Sequence, residues 1–262
     1  EQKIRGAVTE VIKEFSEDFK KRHLSELDEP TGTINSKINN VFMAKLGDEI
    51  IFYSSLVRSF DSTFGNRLEK LAIKVAEISY DVNQRVEGPL SDNQTNDIAR
   101  LLERYKRRNK TPKITDYQEL REEFDEVDEN KRHESDYYLI DEDSSSHYLI
   151  ELKIGGDLDN KKARSEKEAL LEQYAILSNT LPPDTNIEIK FGTAYNMYGE
   201  DVEWNQGRVL QFFSPEELLI GKDFWNFICK SDKGYNIILD EYEKNTNLIK
   251  EALKEIKSNY LS

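Results

Sequence analysis

The fold is decided by residues 135–153, which read Ser-Asp-Tyr-Tyr-Leu-Ile-Asp-Glu-Asp-Ser-Ser-Ser-His-Tyr-Leu-Ile-Glu-Leu-Lys. Two short runs in this stretch, 137–140 and 148–152, are rich in aromatic and branched residues, which favour β-strands. The polar residues 141–146 between them are typical of a hairpin loop. The stretch therefore predicts two neighbouring antiparallel strands.

A symmetric loop would set the register of this hairpin. It places Asp136 directly opposite Glu151, with Cβ atoms roughly 5 Å apart on one side of the sheet. Because side chains alternate along a strand, Lys153 lies on the same side as Glu151. The sequence therefore predicts that two carboxylates and one ammonium group converge at one point of the sheet.

This group of charges favours a divalent cation. Like charges placed opposite each other destabilise a sheet, so the two carboxylates need a compensating partner. Carboxylate oxygens suit Mg²⁺, which also binds phosphate oxygens of substrates. Lys153 would then hold a phosphate or an attacking water. The competing interpretation is a solvent-facing hairpin edge with alternating charges, and the spacing alone does not separate the two.

The spacing resembles that of the PD-(D/E)xK nucleases, in which an acid on one strand precedes a Glu-x-Lys on the next. Ser135 stands where that pattern has proline, a residue that does no chemistry. Residues 154–174 read Ile-Gly-Gly-Asp-Leu-Asp-Asn-Lys-Lys-Ala-Arg-Ser-Glu-Lys-Glu-Ala-Leu-Leu-Glu-Gln-Tyr. They resemble the turn and helix that follow a Glu-Leu-Lys in type II restriction endonucleases of the TdeIII group. The likeness covers residues 136–177.

The resemblance implies a Mg²⁺-dependent endonuclease that hydrolyses phosphodiester bonds of double-stranded DNA. It also implies a short palindromic target, of GGNCC type, and hence a symmetric homodimer. Asp136, Glu151 and Glu69 would bind the metal ion, and Lys153 would complete the catalytic set. Two alternatives stay open: another nuclease of the same superfamily, for repair or for particular DNA structures, and a non-catalytic DNA-binding protein with the nuclease fold.

Glu69 is included because of the run that precedes it. Residues 58–65 read Arg-Ser-Phe-Asp-Ser-Thr-Phe-Gly, a pattern similar to the N-terminal helix of several restriction endonucleases. In those enzymes a following Glu joins the metal site from outside the hairpin. The alternative is an ordinary Glu at the border of a helix, paired with Arg67 or Lys70.

Basic and amide side chains begin the helix predicted after the Gly155-Gly156 turn. The amide donors of a helix N-terminus attract phosphate, and Arg and Asn are side chains that read base edges. Gln173, later in this helix, resembles a polar residue that many of these nucleases carry behind the Glu-x-Lys strand. The predicted DNA-binding residues are Asn160, Lys161, Lys162, Arg164 and Lys167.

Charge is unevenly distributed along the chain. The net charge is −14, which by itself disfavours nucleic-acid binding because phosphate attraction dominates nonspecific affinity. Residues 100–113 nevertheless carry seven basic side chains against Glu103 alone, whereas residues 116–143 carry thirteen acids against three bases. A basic cleft in an otherwise acidic surface fits these runs, and so do solvated helix faces.

The whole pattern predicts an α/β (α+β) fold with a central mixed β-sheet flanked by helices. We expect one domain over residues 1–262: a mainly helical part (1–115), a catalytic core of restriction-endonuclease type (130–215) and C-terminal helices (216–262). An apolar stripe predicts a helix over 4–21. Strands are expected over 186–195 and 208–213.

Composition limits the class of protein. Apolar residues make up 37% and charged residues 34% of the chain, typical of a globular protein with a highly charged surface. Cys229 is the only cysteine, which excludes an intramolecular disulfide and fits a reducing cytoplasm. The resemblance to restriction endonucleases implies a cytoplasm of prokaryotic type. No apolar run approaches the length of a membrane span, so no membrane partner is expected.

Overall fold

The computed structural model describes residues 1–121 and 130–261, and of residues 130–136 it describes the backbone alone. The chain divides into two compact units, one made of Glu1–Lys74 with Tyr235–Ser262 and the other of Val75–Gly234. The first unit is helical and the second contains the β-sheet. The expectation of a single domain stays a prediction.

Short 3₁₀ turns lie at Asn35–Asn39, Ile114–Asp116 and Pro215–Glu217. The other elements of the described residues are seven helices and five strands. In chain order they are α1 (Gln2–Ser25), α2 (Val41–Ala44), α3 (Asp48–Ala76), β1 (Asp81–Pro89), α4 (Asp92–Lys106), β2 (Asn130–Asp141), β3 (Ser146–Leu152), α5 (Asn160–Thr180), β4 (Asn186–Thr193), β5 (Leu218–Ile220), α6 (Lys222–Ile228) and α7 (Gly234–Tyr260).

The first unit is held together by aromatic contacts between its long helices. Phe15 of α1 is buried and packs edge-on against Phe60 of α3, with ring centroids 5.5 Å apart. The ring of Phe64 in α3 contacts that of Tyr242 in α7, with ring centroids 6.0 Å apart. The helix predicted over 4–21 is confirmed as α1, because its apolar stripe forms this core.

The described residues of the second unit form a five-stranded sheet in the order β1-β2-β3-β4-β5. The pairs β1–β2 and β2–β3 are antiparallel, whereas β3–β4 and β4–β5 are parallel. Helix α5 connects the parallel strands β3 and β4 and packs on the sheet. The predicted α+β fold with a mixed sheet flanked by helices is confirmed.

The β2–β3 hairpin has the predicted register over its described pairs. Tyr137 faces Ile150, and the pairing continues to Asp141 facing Ser146. The connecting turn is shorter than the expected six residues, because Asp141 and Ser146 already belong to the strands. The side chain of Asp141 accepts the amide of Asp143 at 3.0 Å and so closes the turn.

One predicted strand is wrong. Residues 208–213 form consecutive turns, in which the amides of Val209 and Leu210 both bond to the carbonyl of Gln206. Val209, Phe212 and Phe213 are buried, so this apolar run contributes to the core without pairing in the sheet. The fifth strand is Leu218–Ile220, and β4 ends at Thr193, two residues before its expected end.

Two features of composition have structural counterparts. The thiol of Cys229 is free and buried, and burial raises its pKa to about 11. Over the described ranges, none of the helices combines the length and the apolar character that crossing a bilayer requires.

Candidate active site

The site begins where strand β3 ends. Lys153 follows the last residue of β3, and its amide donates to the carbonyl of Gly192 in β4 at 3.0 Å. The amide of Ala194 then donates to the carbonyl of Ile154 at 3.0 Å. The backbone around Lys153 is therefore held by the neighbouring parallel strand, which fixes the direction of its side chain.

Glu151 and Lys153 lie on the same side of the sheet, as their alternation predicts. The ammonium of Lys153 forms an ion pair with Oε1 of Glu151. The Glu151 side chain is 12% exposed and that of Lys153 is 32% exposed. The pair therefore stands at a partly open surface, accessible to a ligand but shielded enough for its charges to act strongly.

A second carboxylate, which the sequence analysis did not identify, joins this pair. Oε1 of Glu166 in α5 lies 3.2 Å from Nζ of Lys153, and its side chain is 25% exposed. Gln173 lies seven residues further along the same helix and is buried, and its Oε1 has no hydrogen-bond partner among the described residues. A spacing of seven puts both residues on one helical face, so α5 directs polar groups to one side.

The Gly155-Gly156 turn connects Lys153 to α5 by a close approach to β4. Gly156 has a φ of +69°, and a Cβ there would lie 2.7 Å from Cγ2 of Thr193. A Cβ on Gly155 would lie 2.7 Å from the hydroxyl oxygen of Tyr195. Gly156 is therefore required by packing and by conformation, whereas at Gly155 the exposed Tyr195 side chain could move aside.

The beginning of α5 is stabilised by its cap. The carboxylate of Asp159 accepts the amide of Lys162 at 2.8 Å. This hydrogen bond, together with the positive charges of Lys162 and Arg208, lowers the pKa of Asp159. Gln206 donates to the carboxylate of Asp157 at 3.1 Å and ties the preceding turn to the loop that follows β4.

Residues 1–246 of the chain match the family model of the type II restriction endonuclease HinfI. The chain belongs to the HinfI family. A comparison with curated proteins found no match. Membership makes this a type II restriction endonuclease at family level, and the specificity of the TdeIII group stays a prediction.

Two of the metal ligands predicted for this HinfI-family protein are not tested by the geometry. The backbone of Asp136 belongs to β2, but its side chain lies outside the described residues. Glu69 lies in α3, in the first unit, and is half-buried. Within the described side chains, which do not include Asp136, no three His, Cys, Asp or Glu residues are grouped closely enough to hold a metal ion.

The carboxylates beside Lys153 nevertheless suit the divalent cation predicted from the sequence. Glu151 and Glu166 both present carboxylate oxygens to one point beside Lys153. Hard oxygen donors of this kind are the ligands that Mg²⁺ prefers. The carboxylates of Glu151 and Glu166 are therefore donors of the kind that fit Mg²⁺.

The predicted DNA-binding residues divide into exposed and buried ones. Asn160, Lys161 and Lys162 are exposed at the N-terminus of α5. Arg164 is half-buried, and its Nε has no hydrogen-bond partner among the described residues. Exposed cations at a helix N-terminus are suited to bind DNA phosphates.

The structure corrects the prediction that Lys167 binds DNA. Its side chain is fully buried, and its ammonium forms an ion pair with Glu217. It also lies 4.7 Å from the ring centroid of Tyr117 and 4.9 Å from that of Phe213. The position of Lys167 four residues after the buried Ala163 and three before the buried Leu170 indicated this inward direction. Lys167 therefore has no place in a DNA-contacting surface.

Proposed function

We propose that this HinfI-family protein hydrolyses phosphodiester bonds of double-stranded DNA at the end of strand β3. The observation that carries the proposal is the ion pair between Lys153 and Glu151, held on one side of the sheet beside a second carboxylate. Phosphodiester hydrolysis needs a carboxylate that binds a cation and an ammonium that binds a phosphate. Both groups lie on this short segment.

Lys153 is the proposed catalytic cation. Its ammonium would orient the attacking water and stabilise the negative charge that develops on the phosphate. Mg²⁺, when bound, supplies a Lewis acid and lowers the pKa of a coordinated water. Glu151 would hold the ion, together with the backbone carbonyl of Leu152. Continuing the hairpin register by one residue pairs Asp136 with Glu151, which supports Asp136 as a second ligand, and Glu69 is proposed as a third.

DNA would approach across the N-terminus of α5. Asn160, Lys161 and Lys162 are exposed there, and Arg164 offers an Nε without a partner among the described residues. A hydrogen bond from Arg107 lowers the pKa of Glu103 in α4, and the nearby charges of Lys106 and Arg164 add to this effect. The basic end of α4 therefore extends the same surface and would bind further phosphates.

The target and the assembly are proposed from the family resemblance. A type II enzyme of the TdeIII kind would cut a short palindrome, for which GGNCC is the candidate sequence. A palindrome has two-fold symmetry, so a homodimer would place one active site on each strand.

Digestion of plasmid DNA of known sequence, with and without Mg²⁺, tests the proposal. Discrete fragments with one sequence at every end are expected from the wild-type protein with Mg²⁺, and none from Lys153→Ala. Lys222→Ala, which changes an exposed lysine elsewhere in the second unit, serves as the matched control and retains cleavage. Cutting that requires ends or junctions would indicate a repair nuclease, and binding without cutting would indicate a non-catalytic protein. Full activity in Lys153→Ala would contradict the mechanism.

A further inference from the structure

A polar cavity opens in the first unit, which contains none of the residues around Lys153. Its volume is about 430 Å³, and it lies between the end of α1, the 3₁₀ turn Asn35–Asn39 and helix α3. Arg22, Lys37 and Arg58 line it together with six serine and threonine side chains. Among the described residues that line it there is no Asp or Glu. Such a positive cavity is unusual in a chain whose net charge is −14.

Helix α3 supplies one whole face to this cavity. The lining residues Ser55, Arg58, Ser59, Ser62 and Thr63 are separated by three, four, seven and eight residues from the first of them. This spacing places them on one side of a helix. Ser55 is buried at the base of this face, Ser59 and Thr63 are half-buried, and Arg58 and Ser62 are exposed at its mouth. The face therefore presents hydroxyls and a guanidinium to a ligand that enters from solvent.

Ser55 shows that the cavity has an unused donor. The residue is 4% exposed, and its hydroxyl has no hydrogen-bond partner among the described residues. Buried hydroxyls are nearly always hydrogen-bonded, because leaving one unpaired costs free energy. A ligand that accepts a hydrogen bond inside the cavity would satisfy this hydroxyl.

The cations are positioned to complement that donor. Nη2 of Arg22 donates to Oγ of Ser59 at 2.5 Å and lies 3.4 Å from Oγ1 of Thr63, which holds the guanidinium against the face of α3. Within the described part of the chain, Arg22, Lys37 and Arg58 make no ion pair. The carboxylate of Glu26 lies at the rim of the cavity, where it accepts a hydrogen bond from the backbone amide of Thr33 at 2.6 Å.

We propose that this cavity binds a phosphate group. Guanidinium, ammonium and hydroxyl donors converge there, and phosphate oxygens accept from all three. The volume admits a free phosphate compound or one phosphate of a nucleic-acid backbone, and the donors recognise the same chemistry in both. The proposal does not depend on the nuclease function, because none of the residues it uses is among those proposed for catalysis, metal binding or DNA binding.

The first test measures the melting temperature of the full chain in inorganic phosphate and in chloride of equal ionic strength. Phosphate is expected to raise the melting temperature above the chloride value, since a ligand of the folded state stabilises it. Ser55→Ala should leave the melting temperature in chloride unchanged, because the hydroxyl has no described partner, and lower phosphate affinity about tenfold. Arg58→Gln should lower phosphate affinity by a similar factor.

Lys45→Gln is the matched control, because it removes one exposed lysine of the first unit outside the cavity. It should bind phosphate as the wild-type protein does. The proposal is overturned if phosphate stabilises the wild-type protein no more than chloride does. It is equally overturned if Ser55→Ala and Arg58→Gln respond to phosphate as Lys45→Gln does.

A second arm identifies the source of the phosphate. Binding of a DNA duplex is measured by fluorescence anisotropy without divalent cations, over a series of salt concentrations. If the DNA backbone occupies the cavity, Arg58→Gln weakens DNA binding and reduces the slope of log affinity against log salt concentration by about one. DNA binding to this variant should also no longer be reduced by added phosphate. If DNA binding is unchanged while phosphate stabilisation is lost, the ligand is a free phosphate compound. Weaker DNA binding with full phosphate stabilisation would overturn the cavity as the site.

Discussion

Nζ of Lys153, one residue beyond strand β3, lies 3.2 Å from Oε1 of Glu166 in helix α5. The same ammonium pairs with Glu151. Two carboxylates from different elements therefore hold one lysine, so its position depends on the packing of α5 as well as on the hairpin. If Lys153 is the catalytic cation proposed above, Glu166 is a positioning residue for it, and cleavage should respond to changes in both carboxylates.

Glu166→Gln should reduce the rate of DNA cleavage about tenfold to a hundredfold, because loss of a group that orients an active-site residue typically costs this much. DNA affinity should stay within about twofold of the wild-type value, since only the cleavage step depends on the orientation of Lys153. Single-turnover cleavage and duplex binding measure the two quantities. Glu168→Gln, on the same helix and also partly exposed, should change neither. Equal rates in both variants would remove Glu166 from the site.

Gly156→Ala should destabilise the turn between Lys153 and α5. The residue has a φ of +69°, which costs an L-residue about 1 to 2 kcal/mol, and its Cβ would lie 2.7 Å from Cγ2 of Thr193. We expect the free energy of unfolding to fall by at least this amount in urea titrations, and cleavage to weaken. Gly207→Ala is the control, because a Cβ there meets no atom within 4 Å. If both variants have the wild-type stability, the close approach is unimportant.

The hairpin was predictable because its pattern is local. Tyr137 faces Ile150 as a symmetric loop requires, and Glu151 and Lys153 share a side because strand periodicity demands it. Glu166 was not predictable, since its contact with Lys153 depends on how α5 packs on the sheet. The charge of Lys167 suggested a surface position, but its apolar helical neighbours Ala163 and Leu170 lie on the buried face of α5, and Lys167 lies there with them.

The remaining error has a physical reason of the same kind. Residues 208–213 contain branched and aromatic side chains that favour a strand. These side chains are buried in the core although their backbone does not pair in the sheet. Local propensity alone does not distinguish an apolar run that pairs in a sheet from one that packs as turns.

Lys161→Gln with Lys162→Gln should weaken DNA binding for all sequences alike. Each exposed lysine that contacts a phosphate contributes about one unit to the slope of log affinity against log salt concentration. The double variant should therefore reduce that slope by about two, as measured by anisotropy without divalent cations. Lys222→Gln with Lys233→Gln removes two exposed lysines elsewhere in the second unit and should preserve the slope. Identical slopes in the two variants would exclude the N-terminus of α5 as a phosphate contact.

His23 should make the first unit sensitive to acid. Burial, reinforced by the charge of Arg22, lowers the pKa of His23 from 6.5 to about 4. The unfolded chain therefore takes up a proton as pH falls below about 6.5, while the folded chain does not until about pH 4. The stability that neutral His23 contributes is present above the pKa of the unfolded chain, about 6.5, and is lost as pH falls toward the pKa of the folded protein, about 4.

Between about pH 7 and about pH 5 this loss should amount to about 2 kcal/mol. Urea titrations of the wild-type protein and of His23→Gln at both values measure it, since the carboxylates titrate alike in both proteins and cancel in the difference. The pH dependence of His23→Gln should be smaller by that amount. An unchanged dependence would mean that His23 has the same pKa in the folded and in the unfolded protein.

The buried pair of Lys167 and Glu217 should be costly to break and cheap to replace. Glu217 also accepts the hydroxyl of Tyr117 at 2.7 Å and the amide of Ser214 at 2.7 Å, so it stays anchored when Lys167 is removed. Lys167→Met should then lower the free energy of unfolding by about 3 to 5 kcal/mol, because a buried carboxylate loses its countercharge.

The double variant Lys167→Met with Glu217→Gln distinguishes charge from packing. It removes both charges and keeps an acceptor for Tyr117, so much of the lost stability should return, giving a coupling energy of about 1 kcal/mol or more in the cycle of urea titrations. DNA binding should be equal in all these folded variants, because Lys167 does not reach the surface. Additive losses would show that the two side chains act through packing, and weakened DNA binding in Lys167→Met alone would restore Lys167 to the DNA-contacting set.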